Sequence, residues 1–277
     1  MRNLAVTTID TPFGDPVASI PLPNAPLRLV IAQVRFPAIL AIDGGGELVA
    51  SFQERIRETY PVMQQALEAG ITLISSPGEA TLVPQPLTGV LWRFTSNDHP
   101  WQVSLSRNFV ALQTEHYTDR ADLVTRLGRV LDALAASIKP RVCDRVGVRY
   151  SSAVVDESLL SRLSHLVRPE ILGATGVTTG DEEVRRLHAV TDSMYELPGA
   201  LLRGRWGIIP PGTTIDASMT PATVDSFFLD VDVFSTAPTD FEPELVLERV
   251  RDFCNRQYRF FRWVVTPEYL AAYGAQP

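Results

Sequence analysis

Two arginines flank a glycine in the stretch RVCDRVGVRY, residues 141–150. Because side chains alternate between the two faces of a strand, Arg145, Gly147 and Arg149 would share one face, with valines on the other. A guanidinium group binds a carboxylate or phosphate through paired N–H donors, and a glycine lets a planar group approach the backbone closely. The pattern therefore predicts either an anion-binding surface or arginines that pair with acidic residues on neighbouring strands.

Acidic partners for these arginines are present in FFLDVDVF, residues 227–234, where Asp230 and Asp232 would share a face. Opposite charges on adjacent strands stabilise a sheet, so we favour the paired arrangement. The alternative is an arginine-lined sheet face that holds an anion. Its candidate ligand-binding residues are Arg35, Arg145, Gly147, Arg149 and Arg205.

The other chemical motifs predict no catalytic residue, no metal ligand and no cofactor. His99, His116, His165 and His188 are scattered and lack the spacing of a zinc site. The stretch DGGGE, residues 43–47, lacks the lysine of a phosphate-binding loop, and no Gly-x-Ser-x-Gly nucleophile motif is present. The sequence therefore favours a non-enzymatic protein, while an enzymatic form of the anion-binding hypothesis stays open.

Large aromatic residues alternate with arginines near the C-terminus, in a stretch with helical periodicity. Such interleaving can stack nucleic-acid bases, but on a terminal helix it is more typical of packing against a sheet or of a subunit interface. We expect core or dimer packing here. The candidate interface residues are Phe260, Phe261 and Trp263.

The composition is that of a globular protein, with 45% hydrophobic and 21% charged residues among 277. A formal net charge of −7 argues against nucleic acid as the partner. Lys139 is the only lysine. Cys143 and Cys254 lie on separate predicted elements without a disulfide framework, which favours the reducing cytoplasm. No window has the apolar length of a membrane span, so we expect a cytoplasmic protein with no membrane partner.

Hydrophobic periodicity, together with the residues that cap or interrupt helices and strands, predicts the elements that position these residues. Three long helices are expected: from Glu47 to about Leu67, between Asp119 and Pro140, and over about 243–263. A shorter helix should follow a cap at Asp156. Short strands such as ITLIS, ATLVP and GVLWRFTS lie between Gly, Pro, Asn and Asp residues, and SNDHP has the composition of a hairpin turn.

The order of these elements repeats along the chain. VRF at 34–36 recurs as VRY 114 positions later, and the same offset carries Trp92 onto Trp206. We expect an α+β protein with an extended arm (1–25) and two repeats (26–140 and 141–277). Each repeat would be a β-α-β(3-4)-α helix-grip unit, like the TATA-binding protein, with a mainly antiparallel sheet.

Four stretches, taken in order, resemble one uncharacterised and sporadically distributed bacterial family: PLPNAPLRLVIAQVRF, LWRFTS, NFVALQTEHY and RVGVRY. Its members share a Pro-Leu-x-x-Ala-Pro start, a Trp-x-Phe strand and a mid-chain Arg-Val-Gly-x-Arg-Tyr strand. The resemblance covers about residues 21–265. After that last strand the family tends to carry Ile-Asn, where Ser151 and Ser152 stand here. The resemblance implies no activity and no cofactor, and it suggests mobile or defence-associated genes as the setting.

Together these observations predict a non-enzymatic interaction module with a protein partner, in which a homodimer is also allowed. The alternative is a protein that binds a small molecule or nucleotide through an anionic group, on the arginine-lined sheet face. Oligomeric state and the identity of the partner have no signal in the sequence.

Overall fold

The structure is a computed structural model that describes residues 9–76, 79–97, 101–177, 180, 183–184, 186–216 and 219–276; of residues 68–76 and 79–88 it describes the backbone. The chain forms two compact units, each built from separate stretches of sequence. The first unit comprises Met1–Val30, Val148–Thr236 and Arg251–Pro277, and the second comprises Ile31–Gly147 and Ala237–Val250. The predicted division into an arm and two consecutive repeats stays a prediction.

Helices and antiparallel strands are mixed along the chain, which confirms the predicted α+β class and its mainly antiparallel sheet. The strands are β1 (Leu27–Arg35), β2 (Val62–Ser76), β3 (Glu79–Thr95), β4 (Trp101–Ser106), β5 (Phe109–Thr114), β6 (Val142–Cys143), β7 (Arg145–Val154), β8 (Ala189–Leu197), β9 (Ala200–Ile209), β10 (Ser226–Ser235) and β11 (Thr239–Asp240).

The helices include two long ones, α2 and α6. In chain order they are α1 (Glu47–Ile56), α2 (Arg120–Ser137), α3 (Glu157–Leu160), α4 (Leu163–Leu166), α5 (Pro169–Leu172), α6 (Pro243–Val264) and α7 (Pro267–Ala272), with 3-10 turns at Leu40–Ile42 and Gly173–Gly176. Within the described ranges, none of these helices combines the length and the apolar character that a bilayer crossing requires.

In the second unit the strand order is β2-β3-β4-β5-β1, and helix α2 contacts the strand β4. Arg126 of α2 lies 5.0 Å from the ring centroid of the buried Trp101 on β4. Helix α2 begins as predicted, because the Asp119 carboxylate accepts a hydrogen bond of 2.9 Å from the Asp122 backbone N–H. It ends before Lys139, which has a left-handed backbone (φ 55°) ahead of Pro140.

Two predictions for the second unit are wrong. Helix α1 ends at Ile56 rather than near Leu67. Pro61 excludes the predicted extension, because the residue before a proline is disfavoured in helical geometry. The short strands expected around ITLIS and ATLVP are parts of the long strands β2 and β3, whose antiparallel pairing continues through Pro84 and Pro86. The predicted SNDHP turn includes residues 98–100, which lie outside the described part of the chain.

In the first unit the strand order is β7-β10-β9-β8, and β9 pairs antiparallel with both β10 and β8. The predicted helix after Asp156 is instead two short helices, α3 and α4, and α5 follows them. The Asp156 cap itself is confirmed, since its carboxylate accepts from the Ser158 and Leu159 backbone N–H groups. Helix α6 packs on this sheet: the Gln257 side-chain amide donates to the Val148 backbone carbonyl on β7.

The described part of the N-terminal arm lies along α6 in the same unit. Phe13 stands 5.0 Å from Tyr195 and 6.1 Å from Phe260, measured between ring centroids. Arg259 of α6 donates to the Asp15 carbonyl at 2.6 Å, and the Ile20 N–H donates to the Tyr258 hydroxyl at 2.7 Å. The arm is therefore attached mainly by one aromatic anchor and by hydrogen bonds to its backbone.

Candidate functional site

The centre of the candidate site is a buried carboxylate, Asp230 on β10, whose side chain is 3% exposed. Its Oδ1 accepts from Arg149 Nε at 2.7 Å and from the Ser151 hydroxyl. Its Oδ2 accepts from Arg205 Nε at 3.0 Å and Nη2 at 2.7 Å. A buried carboxylate is stable when its oxygens accept several charged or polar donors, and Asp230 meets that condition with donors from β7 and β9.

Strand register explains why these side chains meet. In the β10–β9 pairing Asp230 lies opposite Arg205, and Asp232 lies opposite Arg203. Arg149 and Ser151 alternate on β7, so both side chains point to the face that carries Asp230. The predicted pairing of Arg149 with Asp230 is confirmed by these contacts.

Arg149 has a second acidic partner that comes from a loop. Asp216 lies between β9 and β10, and its Oδ2 accepts from Arg149 Nη1. Thr214 fixes the local turn, because its hydroxyl donates to the Asp216 carbonyl at 2.9 Å. Burial alone would lower the pKa of Arg149, but the carboxylates of Asp230 and Asp216 outweigh burial and raise that pKa above its ordinary value.

One hydrogen-bond donor of Arg149 has no acceptor among the described residues. Its Nη2 is buried, and it makes no hydrogen bond with any part of the chain that the structure describes. A buried charged donor without an acceptor is unfavourable. Both carboxylate oxygens of Asp230 therefore have hydrogen-bond donors, whereas one donor of Arg149 has no acceptor among the described residues.

A second ion pair lies on the same sheet, nearer its end. Arg203 on β9 donates to Asp192 on β8 through Nε at 3.0 Å and through Nη2 at 2.5 Å. The hydrogen bonds from Arg203 hold the pKa of Asp192 below its ordinary value. Both side chains are close to half-exposed, so water screens this pair far more than the one at Asp230.

The remaining predicted ligand-binding residues belong to the second unit. Arg35 is exposed on β1. Arg145 lies 3.5 Å from the Gln33 side-chain oxygen. The planar group close to Gly147 is the guanidinium of Arg145 itself, since a Cβ built on Gly147 would lie 3.2 Å from Arg145 Nη1. Of the five predicted residues, the structure places Arg149 and Arg205 together on one carboxylate.

The predicted interface residues lie on α6. Phe260 is fully buried and packs 6.3 Å from the ring of Trp206, which agrees with the core packing that the sequence allowed. Phe261 contacts Tyr269 edge-on at 5.8 Å, and Arg168 lies 5.6 Å from the ring centroid of Trp263. A subunit contact through these residues stays a prediction.

Sequence reasoning missed two members of the site. Ser151 could have been found, because it lies two residues after Arg149 on the same strand and therefore on the same face of the sheet. Asp216 had no comparable signal, since it lies in an irregular loop that the strand alternation does not reach. In the part of the chain that the structure describes, no cluster of three or more His, Cys, Asp or Glu residues is placed to hold a metal ion.

Comparison with protein-family models finds none that matches this chain. Comparison with curated protein sequences finds no match either.

Proposed function

We propose that the chain is a non-enzymatic binding module, and that the exposed face of β8 and the segment before it hold a protein partner. The observation behind this proposal is a concentration of apolar side chains that stay exposed. Five of the twelve large ones in the described part lie within residues 177–194, and exposed apolar side chains that are concentrated in one region favour association. They are Val177, Val184, Leu187, Val190 and Met194.

The pattern on β8 suggests the form of the partner segment. Val190 and Met194 are 50% and 52% exposed and stand on one face of the strand, with Asp192 between them. Strand β8 is last in the order of its sheet. An extended segment can lie along a terminal strand and place its side chains at alternate positions. Its apolar side chains would pack on Val190 and Met194.

Charge indicates the composition of that segment. Residues 181–196 contain five acidic residues and two arginines, so the sequence around β8 is locally negative. Complementary charge steers association and suppresses wrong partners. The proposed partner is therefore a protein whose extended segment combines apolar residues with lysine or arginine.

Photo-crosslinking in the cells that naturally produce the protein tests this proposal. A benzophenone side chain replaces Met194 in one variant, and in the matched control it replaces Leu245, which is also exposed but lies in the first turn of α6. We expect a protein adduct of defined mass from position 194 that is absent from position 245 and weakened by Val190→Asp. The same adducts from both positions, insensitive to Val190→Asp, would refute the proposal. An adduct between two copies of the chain would replace the heterologous partner with a homodimer.

We also propose that the chain is a tandem duplication of helix-grip units. The order of strand, helices, antiparallel strands and long helix occurs twice, as β1-α1-β2-to-β5-α2 and as β7-α3-to-α5-β8-to-β10-α6. Trp92 and Trp206, the predicted equivalents, both lie opposite a leucine of the following strand, Leu105 and Leu229. Cys143 and Cys254 are both buried and reduced, which supports a cytoplasmic location, and a mobile or defence-associated locus is the proposed setting.

A second candidate function is the binding of a small anion. The observation that favours it is the buried Arg149 Nη2, which no acceptor among the described residues satisfies.

A further inference from the structure

We propose that Arg149 is an anion site that the protein's own Asp216 occupies, and that a carboxylate or phosphate group of a ligand replaces Asp216 there. This inference rests on the second candidate function and is independent of the β8 surface. Arg149 and Arg205 would then be binding residues, and Asp216 an internal competitor of the ligand.

The donors of Arg149 are divided between two carboxylates, Asp230 and Asp216. Nε is committed to Asp230 in the sheet, and Nη1 contacts a single oxygen of Asp216. The two terminal nitrogens of a guanidinium group can bind two oxygens of one carboxylate or phosphate side by side. Asp216 uses only half of that capacity and leaves Nη2 without an acceptor in the described part of the chain. A ligand oxyanion can satisfy both nitrogens at once.

The net charge of the side chains around Asp230 also favours an anion at Arg149. The guanidinium groups of Arg149 and Arg205 both contact Asp230, so these three side chains together carry one excess positive charge. Asp216 neutralises that excess. When Asp216 is removed or displaced, the cluster requires another anion, and a single carboxylate or phosphate group has the matching sign.

The two carboxylates that contact Arg149 differ in their position in the fold and in their exposure. Asp230 belongs to the middle of β10 and is buried, so an external anion does not reach the carboxylate or replace it. Asp216 comes from the loop between β9 and β10, and both it and Arg149 remain partly exposed, at 22% and 17%. The Asp216 contact is therefore the one that an external anion can reach and exchange.

Thermal unfolding with simple anions tests the proposal, with inorganic phosphate and acetate as probes and chloride at equal ionic strength as the reference. In Asp216→Ala we expect phosphate or acetate at about 50 mM to raise Tm by about 2–4 °C over chloride. In the wild type the same shift should require at least about tenfold more anion, because Asp216 competes. Asp216→Asn provides a second variant that keeps the size of the side chain if the alanine variant does not fold.

The matched control is Asp192→Ala, which removes a carboxylate from Arg203 on the same sheet face. Arg203 has a more exposed environment, so this variant should respond to the anions no more than the wild type does. A response to phosphate alone assigns a phosphate ligand, and a response to acetate alone assigns a carboxylate. Equal responses of the Asp216 and Asp192 variants would overturn the proposal. Since β8 is unchanged in the Asp216 variants, crosslinking at Met194 in the Asp216→Ala background separates this failure from a failure of the binding-module proposal.

Discussion

Replacing Asp230 with asparagine changes one charge at the centre of the first unit and leaves the side-chain volume almost unchanged. Two guanidinium groups, 17% and 23% exposed, would then lack the carboxylate that both contact. Removal of one partner from a buried ion pair costs about 3–5 kcal/mol. Because the arginines are partly exposed and an asparagine oxygen still accepts a hydrogen bond, we expect the lower end, about 3 kcal/mol. In a chain of this size that loss lowers Tm by about 6 °C.

Urea unfolding followed by circular dichroism measures this loss, with Asp192→Asn as the matched control on the exposed pair. The control should lose less than about 1 kcal/mol, because water screens half-exposed ions. Adding Arg205→Gln to Asp230→Asn removes one excess positive charge, so the double variant should be destabilised by less than the sum of the single changes. A loss below about 1 kcal/mol in Asp230→Asn, or strict additivity in the double variant, would refute a charge-centred role for Asp230.

Three further changes test other features. Asp119→Ala removes the cap of α2 and should lower the free energy of unfolding by about 1 kcal/mol, measured by urea titration; no change would mean that the cap contributes nothing. Gly207→Ala should destabilise the protein by more than about 3 kcal/mol, because a Cβ at φ 147° would lie 1.9 Å from the Ala189 carbonyl oxygen. Gly212 has open space around it, so Gly212→Ala should cost only about 1–2 kcal/mol in backbone strain. Similar losses of unfolding free energy in the two variants would contradict the clash at Gly207. Burial raises the pKa of the Cys143 thiol from 9.0 to about 11. The stability that this thiol contributes is therefore fully present below pH 9 and is lost as the pH rises through about 11. The urea midpoint should fall more between pH 8 and pH 10.5 in the wild type than in Cys143→Ala, and parallel profiles would count against the raised pKa.

Strand alternation and helix signals predicted the elements around the site well. The approximate ranges of α2, α6 and β10 follow from periodicity, and the caps at Asp119 and Asp156 follow from side-chain chemistry. The predicted extension of α1 to Leu67 failed, because Leu48, Phe52, Ile56 and Tyr60 continue a helical spacing although the chain has already turned before Pro61. Periodicity describes which side chains are buried and does not fix where the backbone ends its helix.

The site was predictable to the extent that it depends on strand faces. Arg149, Arg205 and Asp230 lie where alternation along their strands places them, although the sequence could not give which strands are neighbours. The contact of Asp216 with Arg149 could not be inferred, because Asp216 lies in a loop, where no regular spacing relates a residue to its neighbours. The division of the chain into two units that interleave in sequence was equally inaccessible, since it depends on which distant stretches pack together.

Lys139 has a practical consequence for the search for a partner. It is the only lysine in the chain, it is exposed, and it stands just after the end of α2 in the second unit. Amine-reactive chemistry at high pH can therefore couple the protein to a sensor surface or a dye through one defined side chain, apart from the α-amino group. No residue of β8 and no member of the Asp230 cluster carries a primary amine. Immobilised molecules would present both candidate binding regions chemically unmodified, so surface-based affinity measurements can begin without engineering an attachment site.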